Sequence, residues 1–448
     1  MLVFIKIRFY FVGMKLKNRV FMLLLFSIES ISLFSQSDTL SICCTPAHMV
    51  EINDSILKNG IDEIMMEALA ANAFPGAQVL VAKEGKVVYH QAWGFHTYDS
   101  LRRVQLDDIY DFASITKVAA SLPALMQLVD NGRIGLESPL KAFYPNFHKT
   151  NKENMTLRRL LTHTAGLKAW IPFWRNTKKK NGKWKSRTFK DKASKKYPIK
   201  IADDLFLHKN YSKKIFKAIK DSPVSEEGKY LYSDMGFYLY PTVVENISGL
   251  SFQAFLKENF YKKIGANSLT FNAYQHFPLE KIIPTERDTF FRMSQIHGQV
   301  HDEGAIMLGG ISGNAGLFGK AIDLAKLFQM YLNGGTYGGQ RFITTETLNE
   351  FTRYQYPEEG IRRGIGFDKP LIEYHPQNSS TAKDASPQTF GHSGYTGTLV
   401  WADPEYDLLY IFLSNRVYPT RLSRQIYELN IRPRIHQVIY DAILKKQD

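Results

Sequence analysis

The hydrophobic and polar positions along the chain follow two different periods. Apolar residues at helical spacing predict five helices, over residues 50–71, 114–130, 234–248, 321–333 and 431–445. A shorter helix is predicted from Thr156 to Leu161. Apolar runs bounded by turn residues predict a β-hairpin over 78–93 and further strands over 388–415. Strands near both ends with helices between them indicate a split α/β (α+β) domain.

Residues 1–37 have the layout of an export signal. Basic residues up to Arg19 precede an apolar run, and small polar residues follow it. The apolar run is much shorter than the ~20 residues that a membrane-spanning helix needs. We therefore predict a signal peptide, initiated at Met14 (about 14–37), and a mature domain over 38–445 without a membrane span. The alternatives are an uncleaved anchor and an ordinary N-terminal core helix.

The same segment sets the expected location of the protein. A cleaved signal peptide places the mature chain in the periplasm or cell envelope. Cys43 and Cys44 are not expected to carry a lipid, because Ile42 before them is not a small residue. With only two cysteines, the 448-residue chain has neither a disulfide scaffold nor a four-cysteine zinc site.

Charge is concentrated in two stretches. The formal net charge is +14, yet residues 168–220 alone hold 18 basic and three acidic groups, and residues 1–37 carry +4. The rest of the chain is therefore mildly acidic, which argues against a nucleic-acid-binding protein. We interpret 168–220 as a solvated Lys-rich insertion. The alternative is that its aromatic residues form a wall of a substrate cleft and its lysines attract anionic polymers.

Ser114 and Lys117 form a Ser-x-x-Lys pair at the start of a predicted helix. This spacing puts both side chains on one helix face. A serine hydroxyl needs a base to become a nucleophile, and a desolvated lysine can supply one. The pair alone is weak evidence, because Ser114 could equally be a plain helix N-cap.

Two further motifs follow in order. Tyr232 and Asp234 directly precede an apolar stretch, and His392, Ser393 and Gly394 lie in a strand of small residues. Tyrosine can carry a proton beside a lysine, and a strand with little side-chain bulk can hold substrate along its edge.

The order Ser-x-x-Lys, Tyr-Ser-Asp, His-Ser-Gly resembles the serine β-lactamase and penicillin-binding protein superfamily. The branch it is most similar to is the class C-like group, which includes esterases and D-amino-acid peptidases. Stretches 74–76, 160–167, 300–302, 309–318 and 413–419 agree, and the last is similar to the β-lactamase-like module fused to some family 3 glycoside hydrolases.

The resemblance implies a β-lactamase/transpeptidase-like fold, in which helices flank an antiparallel sheet and an all-helical subdomain is inserted. The α/β part would span about 50–113 and 290–445, and the helical part about 114–289. It also implies an exported serine hydrolase of β-lactamase, D-Ala-D-Ala carboxypeptidase or esterase type. We expect a monomer with no metal or cofactor, acting on a small-molecule or peptide substrate that could include peptidoglycan fragments.

Site roles carry over position by position. Ser114 would be the acylated nucleophile, Lys117 its proton partner and Tyr232 the general base or acid. The backbone N–H groups of Ser114 and Tyr395 would form the oxyanion hole. Substrate-binding positions are expected at Asp234, His392, Ser393, Gly394 and Tyr395.

Two residues depart from the pattern of efficient β-lactam hydrolases, which have Asn in place of Asp234 and Lys in place of His392. An ionised Asp234 accepts hydrogen bonds only, and it can keep Lys117 charged, which moves the base role toward Tyr232. A neutral His392 attracts a substrate carboxylate less than lysine does. Both changes favour an esterase- or peptidase-like enzyme.

Other readings remain beside this one. A non-catalytic peptidoglycan-binding module, or a partner of a glycosidase, could use the same fold. His297 and His301 lack the flanking residues of a metal motif, and the glycine-rich stretch 304–319 lacks those of a phosphate loop. Glu286 is expected in a supporting salt bridge. The substrate could be a β-lactam, a D-Ala peptide, a D-amino-acid amide or an ester.

Overall fold

A central antiparallel sheet organises the protein, for which a computed structural model describes residues 39–40 and 45–444. The predicted signal peptide and Cys43–Cys44 lie outside the described residues. The helices are α1 Asp54–Ala70, α2 Leu122–Asp130, α3 Leu140–Phe143, α4 Leu157–Leu161, α5 Tyr211–Asp221, α6 Tyr240–Ser248, α7 Phe252–Leu256, α8 Glu303–Met307, α9 Ala321–Leu332, α10 Thr345–Thr352, α11 Gln425–Glu428 and α12 Ile431–Leu444. Within the described part of the chain, no helix has the length and apolar character to cross a bilayer.

The strands form one large sheet and several small ones. Their bounds are β1 Gly76–Lys83, β2 Lys86–Gly94, β3 Tyr110–Asp111, β4 Phe189–Lys190, β5 Ile199–Ala202, β6 Leu205–Leu207, β7 Thr270–Phe271, β8 Glu286–Arg287, β9 Gln295–Ile296, β10 Leu317–Gly319, β11 Thr336–Tyr337, β12 Gln340–Arg341, β13 Phe390–Ser393, β14 Leu399–Asp403 and β15 Leu408–Ser414. The large sheet has the order β13-β14-β15-β1-β2, and every neighbouring pair is antiparallel.

Pairing of β1 with β15 brings an early and a late segment of the sequence together in this sheet. Val79 faces Phe412 across the pair, and both belong to the hydrophobic cluster under α1 and α12. Leu80 and Ile411, one position along, belong to the cluster on the other face, which includes α2 and α9. Covering on both faces explains why β1 and β15 are almost continuously apolar. The predicted antiparallel sheet flanked by helices is thus confirmed.

The helix that follows Ser114 begins differently from the prediction. Residues Lys117–Ser121 form a π-helical turn, and α2 starts only after it. Pro123 has no N–H to donate back to the preceding turn, and its ring would crowd the carbonyl of Ala119 in a regular helix. The Ala119 carbonyl instead accepts a hydrogen bond from the Tyr261 hydroxyl, at 2.7 Å. Wider π turns of this kind are often found at functional sites.

The inserted region is not all-helical, which corrects the prediction. A three-stranded antiparallel sheet in the order β4-β6-β5 lies inside the Lys-rich stretch. Hydrophobic residues on either side of Asp203 and Asp204 carry the signal of this hairpin, but the surrounding lysines masked it.

The helix predicted over 234–248 is shorter than expected. Residues before Tyr240 form tight turns, in which the N–H of Phe237 donates to the Asp234 carbonyl at 3.0 Å. Pro241 occupies the first turn of α6, a position that proline favours because its missing N–H is not needed there. The apolar pattern therefore begins several residues before the helix itself.

Candidate active site

Ser114 lies in a tight turn between β3 and the π-helical turn. Successive i to i+3 hydrogen bonds, from the N–H groups of Ile115, Thr116 and Lys117, shape this turn at 3.0–3.1 Å. Ala113, directly before the serine, has the left-handed backbone angle φ +47°. Non-glycine residues rarely adopt this conformation, and such strain concentrates at functional sites. The turn holds the Ser114 hydroxyl at the mouth of a cavity.

Lys117 lies fully buried beside the serine. Its Nζ is 3.0 Å from Ser114 Oγ, 3.1 Å from the Asn314 carbonyl oxygen and 2.6 Å from Asp234 Oδ1. Burial by itself lowers the pKa of the Lys117 ammonium, but the interactions with Asp234 and Tyr232 together outweigh burial, and the net pKa is raised. Lys117 is therefore a cation at neutral pH.

Tyr232 contacts the serine from another side. Its hydroxyl donates to Ser114 Oγ at 3.1 Å, and its ring lies 5.2 Å from Lys117 Nζ. Burial raises the pKa of the Tyr232 phenol above its usual 10.0, and the Lys117 charge only partly offsets this shift. The phenol is thus protonated at neutral pH in the free enzyme.

His163 holds the segment that carries Tyr232. Its Nδ1 accepts a hydrogen bond from the Ser233 N–H at 3.1 Å, and its ring lies 4.6 Å from the Tyr232 ring. Ser233 Oγ also donates to the Lys168 carbonyl at 2.6 Å. The Tyr-Ser-Asp motif is therefore anchored to the start of the Lys-rich stretch and to the turn after α4.

Gly394, directly after β13, lets the chain approach the turn that carries Ser114. A Cβ on Gly394 would lie 2.1 Å from Thr398 Oγ1 and 2.4 Å from the Phe112 carbonyl oxygen. Thr398 Oγ1 itself donates to the same Phe112 carbonyl at 3.0 Å. Only glycine fits this contact, which links the strand to the residues just before Ser114.

Two residues that line the cavity have a backbone N–H without a hydrogen-bond partner among the described residues. In the described part of the chain, neither the N–H of Ser114 nor that of Tyr395 donates a hydrogen bond to another residue. Tyr395 is half exposed at the cavity, where its ring stacks 5.6 Å from His301 and lies 4.6 Å from the Arg416 guanidinium. These two donors are the ones that the sequence predicts for an oxyanion hole.

His392, unlike the predicted substrate-binding residues Asp234 and Tyr395, does not line the cavity. Its Nδ1 donates to the Ser393 carbonyl at 2.7 Å, and its buried ring lies 5.9 Å from that of Tyr232. Burial lowers the pKa of His392 to about 3, so the ring is neutral. Neither His392 nor Ser393 is among the described residues that line the cavity, whereas Asp234 and Tyr395 are.

The cavity in front of Ser114 has a volume of about 400 Å³. Trp170, half exposed, forms part of its rim. Its far wall contains Asp302, Glu303 and Arg421, which sequence analysis did not single out as site residues. Asp302 lies in the stretch 300–302, whose agreement with the family pattern could have identified it as a site residue. No sequence pattern pointed to Arg421.

Arg421 is bound on both sides by carboxylates. Its guanidinium lies 2.6 Å from Glu286 Oε2 and 2.8 Å from Glu303 Oε1, and His301 Nε2 also contacts Glu286 at 2.8 Å. Burial raises the pKa of Glu286, but its hydrogen bonds to His301 and Arg421 dominate and lower it to about 2. The salt-bridge role expected of Glu286 is therefore seen. Arg421 is the one cation among the described lining residues, and it is already paired.

No group of three His, Cys, Asp or Glu side chains suited to a metal occurs among residues 39–40 and 45–444. His297 and His301 are occupied separately, since His297 Nε2 donates to the Ile282 carbonyl at 2.7 Å and His301 pairs with Glu286.

Comparisons with known proteins agree with this arrangement. The profile of the Beta-lactamase family matches residues 61–431. A Salmonella enteritidis protein named "Putative D-alanyl-D-alanine carboxypeptidase" is 30% identical over 372 residues, which cover 77% of this chain and 79% of that protein.

Solved structures show the same fold. A penicillin-binding protein homologue from Caulobacter crescentus has a TM-score of 0.60 at 18% identity and covers 87% of this chain and 98% of its own. EstCE1, described as a hydrolase with promiscuous acyltransferase activity, has a TM-score of 0.61 at 18% identity, covering 86% and 99%. The chain belongs to the beta-lactamase family, and it is a serine hydrolase of that family.

Proposed function

We propose that the protein is an exported serine hydrolase that forms an acyl-enzyme on Ser114, with an ester or amide as substrate. One observation carries the proposal: Ser114 Oγ is hydrogen-bonded by both the buried Lys117 ammonium and the Tyr232 hydroxyl. Two hydrogen-bonding proton carriers on one serine, at the mouth of a cavity, suit nucleophilic catalysis.

Acylation starts from the deprotonated form of Tyr232, which the adjacent Lys117 cation stabilises. The phenolate takes the Ser114 proton while Oγ attacks the substrate carbonyl carbon. The N–H groups of Ser114 and Tyr395 donate to the resulting oxyanion. Tyr232 then passes the proton to the leaving alcohol or amine as the bond to it breaks. Water, activated by the same phenolate, releases the acyl group and restores the Ser114 hydroxyl.

The charges of the cavity favour a substrate without a carboxylate. Asp234, Asp302 and Glu303 line it. Asp234 is paired with Lys117, and Arg421 is shared by Glu286 and Glu303, so the carboxylates still outnumber the cations. A carboxylate entering this space would meet like charges and no unpaired cation among the described lining residues. We infer that neutral or amine-bearing esters and amides, including D-amino-acid derivatives, are preferred.

A D-Ala-D-Ala carboxypeptidase is the second candidate. The name of the Salmonella relative and its 30% identity favour it. The activity requires a peptide that ends in a carboxylate, for which the neutral, buried His392 offers no charge. A non-catalytic wall-binding module is disfavoured, because Lys117 Nζ and the Tyr232 hydroxyl both lie within hydrogen-bonding distance of Ser114 Oγ.

Export to the cell envelope rests on the sequence of residues 1–37. A basic segment followed by a short apolar run is typical of secretory signals. Expression of the full chain in a bacterial host, with amino-terminal sequencing of periplasmic material, tests it. Recovery of uncleaved protein in the cytoplasm alone would contradict export.

Labelling with a fluorophosphonate probe tests the acyl-enzyme. We expect wild type to be labelled and Ser114→Ala to be unlabelled. Ser212→Ala is the matched control, because Ser212 precedes Lys213 but lies outside the cavity. Labelling of Ser114→Ala at the wild-type level would reject the nucleophile.

A substrate panel then separates the two candidates. Phenyl acetate, a D-alanine amide, a D-Ala-D-Ala peptide and a chromogenic cephalosporin are compared by kcat/KM. The proposal expects the ester and the amide to exceed both carboxylate-bearing substrates. The reverse order would favour the carboxypeptidase.

A further inference from the structure

An open groove on the Lys-rich stretch is lined by cations that have no anionic partner in the part of the chain that the structure describes. Two adjoining cavities of about 660 and 300 Å³ share Tyr211 and Lys214 in their walls. Exposed Lys185, Arg187, Lys196 and Lys214 line them, and we call this concavity the basic groove.

None of the four basic side chains forms an ion pair with another described residue. The described lining residues of the groove include no Asp or Glu. Cations held together without counter-charges repel one another, and this cost is recovered when an anion binds between them. The groove therefore favours a ligand with several negative charges.

The backbone around the groove is firmly connected. The N–H of His208 donates to the Thr188 carbonyl at 3.0 Å, and that of Lys209 donates to the Lys196 carbonyl at 2.9 Å. Tyr211, at the start of α5, donates its N–H to the His208 carbonyl at 2.9 Å. These bonds fix the spacing of the segments that carry the cations, so the groove is preformed.

The remaining lining residues indicate the kind of anion. Asn176, Ser186, Thr188 and Asn210 add neutral hydrogen-bonding groups that suit sugar hydroxyls. Three of the four cations are lysines, whose compact ammonium groups pair with single anionic oxygens and do not impose the bidentate geometry of an arginine fork.

Nucleic acid fits less well, because single-stranded binders stack bases on exposed aromatic faces. Tyr197 and Tyr211 are only 8% and 5% exposed, and the Tyr197 ring packs edge-on against His208. We propose that the basic groove binds a linear glycan bearing carboxylate groups, and that it does so independently of the catalytic cavity.

Binding of fluorescent polygalacturonate to the full chain, measured by anisotropy, tests the proposal. Neutral dextran, polyphosphate and a single-stranded oligonucleotide of similar length are the comparison ligands. We expect polygalacturonate to bind more tightly than all three at low ionic strength, with an affinity that falls as salt is added.

Charge reversal locates the site. Lys196→Glu/Lys214→Glu should weaken polygalacturonate binding at least about tenfold. Lys179→Glu/Lys180→Glu is the matched control, since it makes the same change in net charge on exposed lysines outside the groove. Hydrolysis of phenyl acetate, unchanged in both variants, verifies folding.

Three outcomes would overturn the proposal. Equal losses in the two double variants would mean attraction by net charge alone. Tighter binding of polyphosphate or oligonucleotide would assign the groove to those polymers. No binding of polygalacturonate by wild type at low salt would reject a carboxylate-bearing glycan as the ligand of the groove.

Discussion

The catalytic cavity and the basic groove use lysine in opposite ways. Lys117 is fully buried, and its ammonium is held by Asp234, Ser114 and the Asn314 carbonyl. Lys196 and Lys214 are exposed and have no ion-pair partner among the described residues. Burial makes a charge expensive unless it is paired, whereas water stabilises an exposed charge without help. The same residue type therefore carries a buried, paired charge in one region and exposed charges without an ion-pair partner among the described residues in the other.

The sharpest test of this contrast replaces the buried lysine. Lys117→Met should lower kcat/KM for phenyl acetate by ~10³-fold or more, because it removes the cation that stabilises the Tyr232 phenolate. It also leaves Asp234 without its partner, so burial raises the pKa of that carboxyl further. Lys196→Met, in the groove, should leave kcat/KM unchanged. Similar losses in both variants would contradict the assignment.

Removal of the phenol tests the second contact to Ser114. Tyr232→Phe keeps the ring against His163 but removes the hydroxyl, so kcat should fall ~10²–10⁴-fold with little change in melting temperature. Tyr230→Phe, at a half-exposed neighbour, is the control. Wild-type kcat in Tyr232→Phe would leave Lys117 as the sole base.

The close approach of the chain after β13 to the turn that carries Ser114 can be tested at Gly394. Gly394→Ala would force the Phe112 carbonyl and Thr398 to move, so we expect destabilisation by about 2 kcal/mol together with a loss of kcat. Gly360→Ala, where a Cβ meets nothing within 4 Å, is the control for stability, with only the cost of its positive φ. Unfolding by denaturant and ester turnover measure the two effects.

The pH profile probes the ion pair directly. Wild-type kcat/KM should keep rising with pH above ~9, because the pKa of Tyr232 is raised by burial and only its deprotonated form acts as base. In Asp234→Asn the carboxylate that helps to raise the pKa of the Tyr232 phenol is gone, so the rise in kcat/KM should move to lower pH. Asp302 Oδ1 accepts a hydrogen bond from the Ala305 N–H at the start of α8, and Asp302→Asn, which keeps this oxygen, should show the wild-type profile.

The smallest effect is expected for substitution of Arg421, the paired cation in the cavity wall, and it concerns stability. Arg421→Gln should cost about 2 kcal/mol of stability near pH ~7. The pKa of Glu286 is lowered to about 2 in the folded protein, against ~4.3 for a glutamate in the unfolded chain. Its pairing therefore stabilises the fold fully at pH values above ~4.3, and this stabilisation is lost as the pH falls through about 2. The difference in melting temperature between wild type and variant should therefore narrow in acid. Lys217→Gln, at an exposed ion pair, should show no comparable difference at any pH.

Sequence patterns predicted the large elements better than the small ones. The hairpin of β1 and β2 and the helices α1, α9 and α12 lie where hydrophobic periodicity placed them, because each buries one continuous apolar face. The π-helical turn before α2 and the late start of α6 depend on Pro123 and Pro241, whose effects the apolar pattern conceals. The hairpin of β5 and β6 was missed because lysines flank it.

The sequence by itself determined the three motifs, their order along the chain and the unusual concentration of charge. These are local properties, set by spacing along the chain. Only the tertiary structure decided that Lys117 is buried against Asp234 and the Asn314 carbonyl, that the His392 ring lies 5.9 Å from the Tyr232 ring and that Arg421 is paired with carboxylates in the cavity wall. Those outcomes depend on burial and on contacts between residues up to about two hundred positions apart, and both alter the energy of a charge far more than its neighbours in sequence do.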